Sequence, residues 1–225
     1  MYKFLYYFFI FFIYSFLGWC IEMISTSFHT KKVINRGFLI GPYCPIYGIA
    51  SILMTSFLGK YKNDLLVLFV MAIFICSILE YVTSYLMEKI FKARWWDYSH
   101  KPFNVNGRIC LVNSLLFGIL GVLLVSFIHP FIGSIIATIP NDYFYIITTF
   151  LFTVFLIDYI TSFQITITLK KSFQNLRKDS TEEIAKMVRE TIHGGSKFIN
   201  RILEAFPNLK PLVKKKKRKF FSFFR

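Results

Sequence analysis

Five apolar runs limit what this chain can fold into: Phe4–Ile24, Phe38–Leu58, Leu65–Tyr85, Ile109–Ile128 and Tyr143–Leu169. A helix needs about 20 apolar residues to cross a hydrocarbon core. Backbone facing lipid must satisfy its own hydrogen bonds, which leaves helices or closed barrels. Runs of this length therefore predict an all-α polytopic membrane protein with about five transmembrane helices. Composition agrees, at 55% hydrophobic and 20% aromatic with a mean hydropathy of +0.53, well outside the range of a soluble domain. The first run reads as a retained span, because no small-x-small cleavage site follows it.

The second run is flawed as a helix. GFLIGPYCPIYG, residues 37–48, holds three glycines and two prolines in twelve positions, the two residue types that most weaken a helix. Non-helical backbone at membrane depth is tolerated only against protein or a wet cavity. The break at Gly41, Pro42, Cys44, Pro45 and Tyr47 therefore predicts polar neighbours, and it reads as the wall of a cavity open to the cytoplasm.

Basic residues in short links set topology. The link after the first run carries Lys31, Lys32 and Arg36, and the link after the third carries Lys89, Lys92, Arg94, Lys101 and Arg108. The link after the second holds only Lys60 and Lys62, and the link after the fourth holds none. Residues 170–225 contain 16 Lys/Arg against 5 Asp/Glu, a charge of +11 out of the total of +15. With five spans all three basic segments fall on one side. This predicts the N-terminus outside, the C-terminus cytoplasmic, and a cell-membrane location. It also divides the chain into a transmembrane helical domain, 1–169, and a basic cytoplasmic tail, 170–225. The HPF turn at 129–131 is expected to end the fourth span, leaving residues up to Ile139 interfacial or re-entrant.

Ionisable groups inside spans cost roughly 2.5–3.5 kcal/mol each on insertion scales, so each is a candidate for function. Glu22, Glu80 and Asp158 are such groups, and the predicted topology sets them level with the GPYCP break and Arg108. Ser77, Glu80, Ser84 and Glu88 share one helical face, with Tyr81 and Tyr85 on a neighbouring stripe. The link that follows is dense in polar groups, among them Arg94, Asp97, Tyr98, Asn104 and Arg108. Guanidinium suits phosphate and carboxylate, so Arg94 and Arg108 are candidate anion ligands. Trp95 and Trp96 fit a membrane–water interface. Asn113 is placed to hydrogen-bond Glu80 or Glu22, and Ser114 and Gly118 permit close helix packing.

Cys20, Cys44, Cys76 and Cys110 lie in or beside apolar runs without C-x-x-C spacing, so neither a disulfide framework nor a metal site is expected. No motif for nucleic acid is visible, and no cofactor is implied. In the tail, Ser180 and Glu183 form a capping box for a short helix, and KFINRILEAF suggests a second. Lys214, Lys215, Lys216, Lys217, Arg218 and Lys219 precede four phenylalanines. Such a segment is expected to bind anionic lipid headgroups, at about 1 kcal/mol per basic residue.

GFLIGPYCPIYG, LEYVTSYLME at 79–88 and RWWDYSHKPFNVNGRICLVNSLLFG at 94–118 together resemble the CmpB-like family, whose members are labelled ABC-transporter permeases. The resemblance runs from about Phe12 to Ile139. It adds Gly48 and Gly107 to the positions named above, and it implies a multi-pass transport component. The chain lacks a G-x-x-x-x-G-K-[ST] phosphate loop, so an ATPase would be a separate subunit; a homodimer is the other assembly expected. Two further readings stand beside transport. One is an intramembrane enzyme acting on a lipid or lipid-linked phosphate, with Glu80 or Glu22 as base. The other is a non-catalytic scaffold or sensor whose tail reads lipid.

Overall fold

The computed structural model describes residues 2–31, 35, 37–91, 93–175 and 210–211. The helices in order are α1 (Tyr2–Thr30), α2 (Pro45–Leu58), α3 (Leu65–Phe91), α4 (Leu111–Leu123), α5 (His129–Ala137) and α6 (Asn141–Asn175). The short strands are β1 (Ala93–Arg94), β2 (Asn104–Val105), β3 (Ile109–Cys110) and β4 (Lys210–Pro211). The molecule is mostly helical, and four stretches are long and apolar enough to cross a membrane: Lys3–Phe28, Leu65–Phe91, Leu111–Ala137 and Asn141–Ile167.

α1 and α2 form one packed pair and α3 and α4 another. Each pair joins a long helix to a helix that starts beside the long one's middle. Cys44 N–H donates to the Ser15 carbonyl at 2.8 Å, which sets the start of α2 against the centre of α1. Ser77 and Ser114 share a hydrogen bond of 2.9 Å, which sets the first turn of α4 against the centre of α3. In both pairs the described residues between the long helix and the helix packed on it, 31, 35, 37–44 and 93–110, contain no regular helix.

The apolar run 38–58 is therefore helical only from Pro45 onward. Pro45 sits at the first helical position, where its missing N–H costs nothing. At 14 residues α2 rises about 21 Å, short of a hydrocarbon core of about 30 Å. Residues 37–44 form an irregular strap before it, and the run 38–58 is not among the four stretches long and apolar enough to cross a membrane. Gly48 allows α2 to touch α1, since a Cβ there would collide with the Ser15 hydroxyl and the Phe11 carbonyl.

α3 holds neither Gly nor Pro over 27 residues and is capped by Asp64, whose carboxylate accepts Val67 N–H at 3.0 Å. The fourth span does not stop at the HPF turn. A π-helical turn at Leu124–Ile128 leads directly into α5, so helix continues to Ala137. Proline ordinarily breaks a helix by losing one N–H and crowding the carbonyl four residues back. Here Pro130 lies in the first turn after the widened π turn, which accommodates both effects. Residues 131–137 thus belong to one stretch, Leu111–Ala137, that is long and apolar enough to cross a membrane.

α6 runs past Leu169 to Asn175, and β4 pairs antiparallel with β1, a pairing with no signal in the sequence. The capping box at Ser180, the second tail helix and the Lys214–Lys219 run lie outside the described residues. The core lies between the two helix pairs and the start of α6. Leu5, Ile10, Met54, Leu58, Leu68, Ala72, Cys76 and Phe144 are buried there. A second, smaller cluster centres on Phe91 and Trp95 with Phe38 and Phe163.

Candidate functional site

The strap comes first, because its backbone must be satisfied. Ile40 N–H donates to Asp158 Oδ1 at 3.0 Å, Gly41 N–H to Oδ2 at 2.7 Å, and Tyr43 O–H to Oδ2 at 2.5 Å. Ser162, one turn along α6, adds its hydroxyl to Oδ1 at 2.8 Å. One carboxylate therefore accepts four donors, two of them from broken backbone. The polar neighbour predicted for the GPYCP break is Asp158, and its task is to hold residues 40–43 against α6. Tyr43 and Ser162 complete this pin, and sequence reasoning singled out neither as a ligand of the strap.

The stripe on α3 meets the link after it. Residues 93–110 fold into a compact plug that lies back along α3. Asn106 and Gly107 both have positive φ, 54° and 67°, as a type I′ turn requires, and Arg108 N–H closes it onto the Val105 carbonyl at 3.0 Å. Glycine is doubly required at 107, since a Cβ would meet the Asp97 carboxylate and the Ser99 hydroxyl. The Asn-Gly dipeptide was the available sign of this hairpin. Asn104 braces it, donating to the Lys101 carbonyl at 2.7 Å and accepting Gly107 N–H at 3.0 Å.

Each stripe residue then finds a partner from the plug or from α4. Ser77 meets Ser114. Ser84 accepts from Arg108 at 3.2 Å. Glu88 holds Arg108 at 2.9 Å and Arg94 at 3.2 Å. Arg94 also reaches Asp97 at 3.3 Å. The Arg108 guanidinium lies over the rings of Tyr81 and Tyr85, and Tyr81 accepts from Asn106 at 3.0 Å. Both candidate anion-binding guanidiniums are thus engaged by carboxylates of their own chain. The Ser99 hydroxyl first, then Ser99 N–H and Arg94, hold Asp97 below its ordinary carboxylate range.

Trp95 is buried, with 5% of its surface exposed, and sits edge-on to Phe38 and Phe91. Trp96 donates its ring N–H to the Arg108 carbonyl at 3.0 Å. Both indoles are thus held by packing and hydrogen bonding within the plug.

Glu80 completes the stripe and behaves differently. It is 6% exposed. Its Oε1 accepts the Tyr98 hydroxyl at 3.3 Å, while Oε2 is buried with no hydrogen-bond partner among the described residues. Tyr98 reaches it from the plug, and Tyr47 on α2 donates to Glu22 Oε1 on α1 at 2.8 Å. Burial, followed by the Glu80 and Glu22 carboxyls, holds the Tyr98 phenol above its ordinary value of 10. Elements α1, α2, α3 and the plug therefore meet at this centre. Lys101, not singled out from sequence as a site residue, lies over the Tyr98 ring and reaches Asn113 Oδ1 at 3.5 Å. Asn113 accordingly meets Lys101 and not Glu80 or Glu22 in the contacts resolved.

The residues expected at one depth therefore divide into three groups: Asp158 with the strap, Glu88 with Arg94 and Arg108, and Glu80 with Tyr98, Tyr47 and Glu22. Cys44, Cys76 and Cys110 are buried and form no disulfide among the described residues. Cys44 and Cys110 occupy the same position in the two pairs, just before α2 and α4.

No curated protein and no solved structure matches the chain. The family described as Putative ABC-transporter type IV matches residues 9–163. That match takes in both helix pairs, the strap, the plug and Asp158, more than two thirds of the sequence, and the chain belongs to this family.

Proposed function

We propose that the protein is the membrane-embedded component of a transport system, and that its working centre is Glu80 with Tyr98, Tyr47 and Glu22. One observation carries this reading: a buried carboxyl on a long apolar helix, one oxygen of which has no partner among the described residues, facing a phenol from the plug. An acid whose only task was to fasten helices would be fully hydrogen-bonded, as buried polar groups ordinarily are. Ionisable groups in spans facing a bundle interior mark solute and ion paths, and the family membership agrees with transport. In this reading the plug and strap lie on the cytoplasmic side, following the basic residues of their links, and the centre opens toward the cytoplasm. The protein acts in the cell membrane with a second copy or a separate ATPase subunit. Arg94 and Arg108 are occupied by Glu88, which weakens the reading of a lipid-phosphate enzyme.

The test is reconstitution of the full chain in liposomes, alone and with any ATPase that copurifies, followed by a screen of solute flux. Flux that is present in the wild type and lost in Glu80→Gln is the expected result. Flux unaltered by that substitution would remove Glu80 from the path, and no flux under either condition would overturn the transport reading.

A further inference from the structure

The centre described above also has a chemical preference. Glu80 is buried, and the groups facing it are acids or phenols more than cations. From α1 comes Glu22, close enough for its charge to act on Glu80. From α2 comes Tyr47, bonded to Glu22. From the plug come Tyr98, bonded to Glu80, and Lys101. From α3 itself comes the Cys76 thiol, one turn away and turned toward Met54. On α4, Asn113 is engaged by Lys101. α6 meets α3 near Phe91 and Phe163, three turns from the carboxyl.

Lys101 is the single cation in this set, and it is shared. Its ammonium leans on the Tyr98 ring and on Asn113, and no ion pair joins it to Glu80 among the described residues. An ionised Glu80 would be left with a buried oxygen lacking any donor, beside another carboxyl. Burying a charge without a partner is costly, and two carboxylates in one site resist ionising together. A proton on Oε2 removes both costs. A small cation seated against the same oxygen would do so equally.

Resting on the transport reading, we propose that Glu80 carries a proton and exchanges it for one small monovalent cation, an alkali metal ion or a primary ammonium. On exchange the Oε2–H bond breaks, the proton leaves to water, and the cation takes its position, so the net charge of the centre is unchanged. The phenols of Tyr98 and Tyr47 offer the cation oxygen ligands and aromatic faces.

The experiment is infrared spectroscopy of the full chain in phosphatidylcholine vesicles at neutral pH, with N-methylglucamine chloride as the inert salt. The wild type should show a carboxylic-acid C=O band that is missing in Glu80→Gln and retained in Tyr43→Phe. Adding sodium, potassium or methylammonium chloride should remove the band and release protons stoichiometrically to a pH-sensitive dye. A spectrum without the band, a band that survives Glu80→Gln, or a band that persists through all three cations would overturn the proposal. Circular dichroism of Glu80→Gln establishes that the variant is folded. An exchanging band without flux would leave this site standing and remove transport, whereas flux without the band would remove this inference alone.

Discussion

Asp158 and Glu80 are both carboxyls on membrane-spanning helices, and their surroundings are opposite. Asp158 accepts four donors, two of them backbone N–H groups released by the broken strap. Glu80 accepts one hydrogen bond of 3.3 Å and keeps a buried oxygen without a partner among the described residues. The first arrangement is what holds irregular backbone within a bundle. In the proposed reading, the second leaves a position for the exchanged cation. An intramembrane acid is thus not a single kind of evidence, because its meaning depends on how many donors reach it.

The largest effect that would break this contrast is on the strap. Asp158→Ala leaves Gly41 N–H and the Tyr43 hydroxyl without their acceptor, while Ile40 N–H keeps the Ser162 hydroxyl at 3.1 Å. At about 1–3 kcal/mol per orphaned donor, the expected loss is about 3 kcal/mol or more, read as a lowered unfolding midpoint in detergent. An unchanged midpoint would show that the strap is held by packing alone. Next, Gly48→Val forces a side chain between α2 and the Phe11 and Ser15 backbone turn. The expected cost is about 1–3 kcal/mol of overpacking, by the same measurement. Wild-type stability in this variant would mean that the first helix pair is looser than its contacts suggest.

The smallest effect sharpens the other half. Tyr98→Phe removes one hydrogen bond from Glu80 and should cost about 1 kcal/mol. The Tyr98 phenol is held above its ordinary value of 10 in the folded protein. Its contribution is therefore complete below pH 10 and declines as pH rises beyond it, where the unfolded chain ionises first. The stability gap between wild type and Tyr98→Phe should accordingly narrow above pH 10. A gap that is constant with pH would mean that the phenol is not buried against the carboxyls.

Much of this architecture can be read from the sequence, for specific reasons. The length of the apolar runs gives helices, and the 3- and 4-residue spacing of Ser77, Glu80, Ser84 and Glu88 gives a common face. The density of Gly and Pro at 37–48 locates the break to within a few residues of its true end at Pro45. What partners those groups is harder, because it is long-range. Asp158 meets Gly41 across 117 positions, and no local pattern records that pairing. Arg94 and Arg108 look available as anion ligands until the Asn106–Gly107 turn swings both onto Glu88. The HPF turn looks like a stop, and a π turn beside it, which no composition rule signals, carries the helix through. The two acids look alike in sequence because their difference lies in donors drawn from other elements.

The contrast between them is tested most directly by measuring unfolding of Glu80→Gln and Asp158→Asn side by side in the same detergent. Glu80→Gln removes a poorly partnered acid beside another carboxyl, and its stability should lie within about 0.5 kcal/mol of wild type or above it. Asp158→Asn turns an amide N–H₂ toward donors that need an acceptor and should be destabilised by about 2 kcal/mol. Equal losses in the two variants, or a larger loss for Glu80→Gln, would contradict the assignment of Asp158 to structure and Glu80 to function.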